Sequence, residues 1–216
     1  MKMFLTIVVG IIVLAAVITT GICLLLNYRE EHDPSYTDET TNRKLSKDAT
    51  FYERYIKRFF DIVIAFVGLL VTSPIVAIAC ILIYIEDPGN VIFKQKRVGV
   101  NKSHFNIHKL RSMKQNTGDI PTHLFSREEQ DNMILKIGKF IRKTSIDEFG
   151  QWIDVLRGSM SLVGVRPALW NQFDLIEERE RYGANAARPG ITGLAQISGR
   201  DELEIPVKAK FDGEYV

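Results

Sequence analysis

The feature that most constrains this chain is a long apolar stretch, Ile62–Ile85, that contains no charged residue. As a helix rising about 1.5 Å per residue, it is long enough to cross a hydrocarbon core of about 30 Å. Ser73 and Pro74 lie at its middle, where proline removes a backbone hydrogen bond and kinks or breaks a helix. Two membrane arrangements follow: a kinked spanning helix, or two half-helices that enter and leave the same leaflet. A buried core helix of a soluble domain is disfavoured by the lack of charge.

The flanks of this stretch favour the second arrangement, because basic residues stand on both sides of it. They are Arg54, Lys57 and Arg58 before it, and Lys94, Lys96, Arg97 and Lys102 after it. Basic flanks prefer the cytoplasmic side, and a spanning helix would place one flank outside. The sequence therefore predicts a re-entrant helix-break-helix. The preceding segment, Tyr52–Phe60, mixes aromatic and basic residues, which is typical of an interfacial helix, although a plain solvated helical turn is the alternative.

A second apolar stretch, Phe4–Leu26, lies near the N-terminus and is also long enough to span a membrane. A secretory signal would have a shorter apolar core and a small-residue cleavage site, which this stretch lacks. The basic excess lies on its C-terminal side, which predicts an outside N-terminus and a cytoplasmic remainder. We therefore predict three parts: a transmembrane helix over 1–27, a polar juxtamembrane linker over 28–50, and a single domain over 51–216, α+β and mainly helical.

Within this domain, hydrophobic alternation predicts a β-hairpin from Val91–Val98 and Phe105–Leu110. Apolar residues at helical spacing predict three helices, Arg127–Phe140, Thr144–Leu156 and Ala168–Tyr182. The first would bury Met133, Ile134, Ile137 and Phe140, and the second Trp152, Ile153 and Leu156. Segments rich in glycine and proline, Gly158–Pro167 and Arg188–Arg200, are predicted to be loops.

Composition excludes several classes of protein. Hydrophobic residues make up 46% of the 216 residues, which is too many for a disordered chain. Two cysteines, both inside the apolar stretches, exclude a disulfide scaffold and a cysteine-based zinc site. The sequence has no Walker, dinucleotide-binding, zincin or serine-hydrolase motif.

Adjacent carboxylates near arginine-bearing loops remain as the candidate chemistry. Asp147 and Glu148 fall in the first turn of a predicted helix, where Ser145 and Glu148 would form a capping box. Capping and the helix dipole account for these residues without any catalysis. The arginines in or beside loops could bind diphosphate oxygens, or could simply be solvated. They are Arg142, Arg166, Arg188 and Arg200.

Five motifs in order resemble those of the bacterial sugar transferases, the monotopic polyprenyl-phosphate phosphoglycosyl transferases. They are KRFFDIVIAFVGLLVTSPIVAIACILI, FKQKRVG, FNIHKLRSM, RKTSIDEFGQWIDVLRGSMSLVGVRP and RPGITGLAQISGR. The resemblance runs from about Tyr52 to Arg200. It implies transfer of a sugar-1-phosphate from a UDP-sugar to polyprenyl phosphate at the cytoplasmic membrane face, as the first step of exopolysaccharide, capsule or glycoconjugate synthesis.

The resemblance also implies roles for individual residues. Asp147 is expected to be the nucleophile that forms a covalent phosphosugar intermediate and releases UMP, and Glu148 is expected to hold Mg²⁺ at the diphosphate. The break at Ser73 and Pro74 would be the re-entrant turn. Basic positions that match the motifs are assigned to phosphate and nucleotide binding. They are Lys109, Arg111, Arg142, Arg166 and Arg200.

Three features depart from the family pattern. The Phe4–Leu26 helix is additional to the minimal catalytic unit, Val165 stands where the family loop usually reads Pro-Arg-Pro, and the sequence stops at Val216, where relatives usually continue. A catalytically impaired membrane scaffold is therefore the alternative function. The expected partners are UDP-sugar, polyprenyl phosphate and membrane lipid, without nucleic acid. The transferred sugar and the oligomeric state, a homo-oligomer included, are left open.

Overall fold

The computed structural model describes residues 49–115, 133–199 and 202–216. The predicted transmembrane helix at Phe4–Leu26, nearly all of the linker, and Arg200 lie outside the described residues. Within the described ranges the protein is mostly helical with two small sheets, in agreement with the predicted α+β, mainly helical class.

Helix α1, Lys57–Glu86, contains the whole central apolar stretch and follows a π-helical turn at Tyr52–Ile56. The two together form the one helix in the described residues that is long and apolar enough to cross a membrane. Most of its large apolar side chains are exposed, whereas Ala65, Ala79 and Ile83 are buried. An apolar helix exposed over most of its surface needs a non-aqueous neighbour.

Pro74 lies inside α1, and the backbone is helical on both sides of it. The predicted break is therefore not seen as an interruption of the helix. Hydroxyl groups satisfy carbonyls one turn away, since Ser73 Oγ donates to Leu70 O at 2.8 Å and Thr72 Oγ1 donates to Gly68 O at 2.7 Å. These are the contacts that let an apolar helix tolerate proline. The re-entrant path stays a prediction.

The predicted hairpin is confirmed to within a residue or so, with β1 at Ile92–Val98 and β2 at His104–Leu110. A short 3₁₀ turn, Val100–Lys102, connects them, closed by a hydrogen bond from Gly99 N to Ser103 O at 2.6 Å.

The described residues divide into two compact units. The first contains Val67–Gln95 and the described part of His108–Gly150. Its core is made of Ala79, Ile83, Leu110, Leu135 and Ile141. The second contains residues 49–66, Lys96–Ile107 and the described part of Gln151–Val216, with two clusters centred on Val155 and Leu175.

The N-terminal part of the helix predicted over Arg127–Phe140 lies outside the described residues, which resume at 133. In the described part the prediction is wrong at Ile134 and Phe140, whereas Ile137 packs against the core of the first unit as predicted. Helix α2 covers Lys136–Lys143, Ile134 forms a β-bridge with Met113, and Phe140 is 56% exposed. The carboxylate of Glu86 sets the start of α2, because it accepts hydrogen bonds from Lys136 N at 2.6 Å and Ile137 N at 3.0 Å. A residue fifty positions away thus caps the helix.

The second unit contains helix α3 at Gln151–Arg157, and the predicted apolar face is partly confirmed. Ile153 is buried, while Trp152 and Leu156 pack at the edge of a cluster centred on Val155. Both segments predicted to be loops contain regular structure. Strand β3, Ser161–Val163, pairs in parallel with strand β4, Gly190–Thr192.

The second unit contains further elements after β3. They are helix α4 at Phe173–Glu180, strand β4 at Gly190–Thr192, helix α5 at Leu194–Ile197 and helix α6 at Ile205–Tyr215. The helix predicted over Ala168–Tyr182 is therefore shorter, and α6 was not predicted. α4 packs against α6 through Leu175 and Ala209.

Candidate active site

The predicted carboxylate pair lies in a 3₁₀ turn, Ile146–Gly150, that leads directly into α3. The predicted capping box is wrong. Ser145 takes a left-handed conformation with φ 57°, its N–H donates to Arg142 O at 3.2 Å, and Glu148 N donates to Ser145 O at 3.2 Å. Because backbone groups satisfy the turn, the Glu148 side chain is not needed as a cap and is directed elsewhere.

Glu148 is paired with strand β2. Lys109 Nζ donates to Glu148 Oε1 at 2.9 Å, with the two side chains 20% and 25% exposed. The turn can approach β2 because Gly150 has no side chain; an added Cβ would lie 2.6 Å from His108 O. Close backbone packing at Gly150 thus brings the carboxylate pair to the lysine.

Asp147 is half-buried beside two cations, Lys109 and Arg142. Burial raises the pKa of Asp147, the neighbouring Glu148 raises it further, and Lys109 and Arg142 act in the opposite direction. A carboxylate whose charge is poorly solvated and faces two cations is suited to react with, or to bind, a phosphate group.

Arg142, in the last turn of α2, is the most available cation of this group. Its Nε donates to Ser112 Oγ at 2.8 Å, and the residue is otherwise exposed. The structure gives its two terminal nitrogens no hydrogen-bond partner among the described residues. The one bond through Nε therefore orients the guanidinium and leaves its two terminal nitrogens available to bind a pair of phosphate oxygens.

Ser112→Ala tests this orienting role. The variant removes the bond to Arg142 Nε. It should raise the apparent KM for the UDP-sugar that the motif resemblance implies as donor about fivefold, the equivalent of about 1 kcal/mol for one hydrogen bond. The measurement is initial-rate kinetics at varied donor concentration. Ser103→Ala in the hairpin turn is the control and should leave KM unchanged. An unchanged KM in Ser112→Ala would show that the serine does not hold Arg142 in the working protein.

The other predicted basic residues are placed differently. Arg111 is 6% exposed, and its guanidinium pairs with Asp87, NH1 lying 3.0 Å from Oδ2 and NH2 donating to the backbone oxygen. Arg166 lies in the second unit, where its carbonyl accepts a hydrogen bond from Arg179 at 2.9 Å. Sequence reasoning missed Ser112, although it lies within the motif FNIHKLRSM, and Glu86, which no local signal marks.

The carboxylate pair also bears on metal binding. The described residues contain no group of three or more His, Cys, Asp and Glu side chains that could hold a metal ion by themselves. Mg²⁺, however, commonly uses one or two carboxylates together with water and substrate phosphates. Asp147 and Glu148 fit that smaller requirement, with Lys109 as the present partner of Glu148.

Comparison with known proteins identifies the family. The family model described as bacterial sugar transferase matches residues 52–216. The galactosyl transferase CpsE of Streptococcus agalactiae is 43% identical over 175 residues, which is 74% of this chain and 37% of that protein. The exopolysaccharide production protein ExoY of Sinorhizobium fredii is 32% identical over 173 residues, 74% of this chain and 76% of that protein.

A third relative is the UDP-glucose:undecaprenyl-phosphate glucose-1-phosphate transferase of Escherichia coli K12. It is 38% identical over 170 residues, 76% of this chain and 36% of that protein. This chain therefore spans little more than a third of the length of CpsE and of the E. coli protein, and three quarters of ExoY. The motif resemblance is confirmed, and the chain belongs to the bacterial sugar transferase family.

Proposed function

We propose that this protein transfers a sugar-1-phosphate from a UDP-sugar to polyprenyl phosphate in the synthesis of an exopolysaccharide, capsule or related glycan. Relatives named as undecaprenyl-phosphate sugar phosphotransferases support this, among them one from Salmonella typhimurium. The observation that carries the proposal is the half-buried Asp147 beside Glu148, Lys109 and Arg142. Two carboxylates with two adjacent cations suit displacement at an anionic diphosphate.

In the first half of the proposed reaction, a carboxylate oxygen of Asp147 attacks the phosphorus that bears the sugar. A P–O bond forms, the bond to the bridging oxygen breaks, and UMP leaves with that oxygen. Arg142 and Lys109 neutralise charge on the diphosphate, which an anionic nucleophile approaches poorly. Mg²⁺, held by Glu148, would supply further neutralisation at the leaving phosphate.

In the second half, an oxygen of polyprenyl phosphate attacks the phosphorus of the acyl phosphate. The Asp147 carboxylate is released unchanged, and the product is a polyprenyl diphosphate sugar. A covalent intermediate allows the water-soluble donor and the lipid acceptor to react in turn, so they need not be bound together.

The helix α1 supports a membrane location for this chemistry. We infer that α1 is re-entrant, that the N-terminal stretch spans the membrane, and that the catalytic part faces the cytoplasm. The basic residues at both ends of α1 carry this inference. The exposed aromatic side chains just before α1, Phe51, Tyr52 and Tyr55, suit headgroup depth.

Cysteine labelling tests the re-entrant path. In a background in which Cys23 and Cys80 are replaced, Arg54→Cys and Asn90→Cys should both resist an impermeant thiol reagent in intact cells. Both should react after the cells are permeabilised. Reaction of only one of them in intact cells would mean that α1 spans the membrane. Pro74→Leu restores the missing N–H and should shift the population towards that spanning form.

An activity assay tests the proposed function against the scaffold alternative. Purified protein in detergent should release UMP from a UDP-sugar when Mg²⁺ and polyprenyl phosphate are present. Intact-mass analysis with donor alone should show a phosphosugar adduct. A panel of UDP-sugars identifies the sugar. Neither UMP nor adduct with any donor, in protein that remains folded, would favour the scaffold.

A further inference from the structure

The N-terminal end of helix α1 has more positive charges than there are acidic side chains nearby to neutralise them. Lys57 and Arg58 are the first two residues of α1. Arg188, from the segment before β4, lies close enough to both for its charge to repel theirs. The buried carboxylate beside these three cations is Asp61, which is 3% exposed. Three cations therefore face one buried carboxylate.

The carboxylate of Asp61 is already occupied by other donors. It accepts hydrogen bonds from Ser161 Oγ at 2.7 Å, Leu162 N at 3.0 Å and Lys57 Nζ at 3.4 Å. Lys57 also contacts Ser161 Oγ. Glu53, the next acidic residue, is bound by the N–H and hydroxyl groups of Thr50, each at 2.8 Å. No hydrogen bond from Arg188 to either carboxylate is seen in the described ranges.

Arg58 and Arg188 differ in how their guanidinium groups are satisfied. Arg58 donates to Val155 O at 2.6 Å and Leu156 O at 3.0 Å, at the end of α3. Arg188 Nε is buried and has no hydrogen-bond partner among the described residues. Burial lowers the pKa of Arg188 and repulsion from Arg58 lowers it further, whereas attraction to Asp61 acts in the opposite direction. A buried donor without a partner costs free energy, and an anion at this point would remove that cost.

The backbone holds Arg188 in this unfavourable place. The next residue, Pro189, accepts a hydrogen bond from Ser161 N at 2.8 Å, and Gly164 approaches the Arg188 carbonyl so closely that an added Cβ would lie 2.3 Å from it. The backbone that carries Arg188 is thus held against β3 and the residues that follow it.

We propose that Lys57, Arg58 and Arg188 form a binding site for the phosphate group of a membrane lipid. The choice of a lipid rests on the proposed function, which places α1 in the membrane. The head of an apolar helix, next to exposed aromatic rings, lies at the depth of lipid phosphates. Guanidinium groups match the paired oxygens of phosphate. The phosphate comes either from polyprenyl phosphate, a monoester, or from an anionic phospholipid, a diester.

Native mass spectrometry of the full chain in detergent tests the site with each lipid separately. The probes are undecaprenyl phosphate and phosphatidylglycerol. Arg188→Gln should weaken retention of one or both lipids about tenfold, as expected for loss of a charge-assisted bidentate contact. Arg181→Gln removes an exposed arginine just after α4 and is the control, which should retain lipid normally. Selective loss of the monoester identifies the acceptor, and selective loss of the diester identifies a phospholipid.

Thermal unfolding of the same samples separates ligand binding from a structural role. Because Arg188 Nε is buried without a hydrogen-bond partner among the described residues and Arg58 repels the charge, Arg188→Gln should melt at the same or a higher temperature without lipid. It should also lose the rise in melting temperature that the lipid gives the wild type. If Arg188→Gln does not fold, Arg188→Lys replaces it in the test. Lysine keeps the charge but cannot make the bidentate contact, so this variant should retain lipid to an intermediate extent.

Equal retention of both lipids by wild type and variants would overturn the site. A destabilised Arg188→Gln that binds lipid normally would overturn it as well, since the arginine would then be structural. Neither readout needs catalysis. A wild type that binds lipid but releases no UMP therefore contradicts the proposed function alone, and one that releases UMP without binding lipid here contradicts only this site.

Discussion

Asp147→Asn should abolish adduct formation and reduce UMP release by about a thousandfold or more, as expected when a nucleophile is removed. Asparagine keeps the size of the side chain and its place in the 3₁₀ turn, so Lys109 and Glu148 remain paired. The measurements are UMP release and the intact mass of protein incubated with donor alone. Asp174→Asn, an exposed aspartate of α4, is the control and should keep full activity.

The same substitution should not destabilise the protein. Burial raises the pKa of Asp147 in the folded state, so ionisation of this carboxyl group opposes folding. That cost is absent below the unfolded pKa of about 3.9 and is complete above the folded pKa. In a chelator at neutral pH, Asp147→Asn should therefore melt at an equal or higher temperature than wild type, and the difference should vanish near pH 4. A fully active Asp147→Asn would rule out the covalent mechanism.

The largest loss of stability is expected at the ion pair between α4 and α6. Arg179 donates from Nε and NH2 to Asp212 Oδ2 at 2.8 and 2.6 Å, and the side chains are 3% and 2% exposed. Arg179→Met leaves the aspartate charge buried and unpaired and also removes the bond to Arg166 O. The expected cost is about 3–5 kcal/mol. In a chain of this size the melting temperature should fall by roughly 10 °C.

Two further variants show whether the cost comes from an unpaired charge. Arg179→Met with Asp212→Leu replaces both partners and should recover much of the stability, since a buried pair is often no better than a hydrophobic one. Arg181→Met breaks a pair with Glu178 in which the arginine is exposed, and it should cost less than about 1 kcal/mol. If Arg179→Met is as mild as Arg181→Met, the buried pair contributes little.

Arg179, which forms the buried ion pair with Asp212, also contacts the loop at Val165 and Arg166. Arg166 is expected from the motif resemblance to bind substrate, and its carbonyl is held by Arg179. Loss of Arg179 should therefore affect the loop at Val165 and Arg166 before it affects Lys109, which belongs to the other unit.

Some elements could be predicted from the sequence because their signals are local. The hairpin follows from alternating residues with a short connection, and the long helix from an uninterrupted apolar run. The carboxylate pair could be identified by its adjacency and by the motif around it, but spacing alone assigned it a capping role that the structure does not show.

Other elements could not be predicted because a remote residue decides them. Helix α2 starts at Lys136 because the carboxylate of Glu86 caps it there, and the local hydrophobic period carries no trace of that contact. Strands β3 and β4 are three residues each, too short to show alternation, and they exist because Ser161 pairs with Gly190. A segment that is predicted to be a loop from its glycine and proline content can therefore still contain a strand.

The sequence by itself determined the family, the apolar helix with basic ends, the hairpin, and the identity of Asp147 and Glu148 as the candidate dyad. Only the tertiary structure decided which partners the basic and acidic residues have. Lys109 pairs with Glu148, Arg142 donates to Ser112, and Arg111 pairs with Asp87. The physical reason is that periodicity and motif spacing report which side chains are buried or reactive along one segment. Charge pairing and orientation depend on distances between segments, and these are set by close backbone packing at positions such as Gly150.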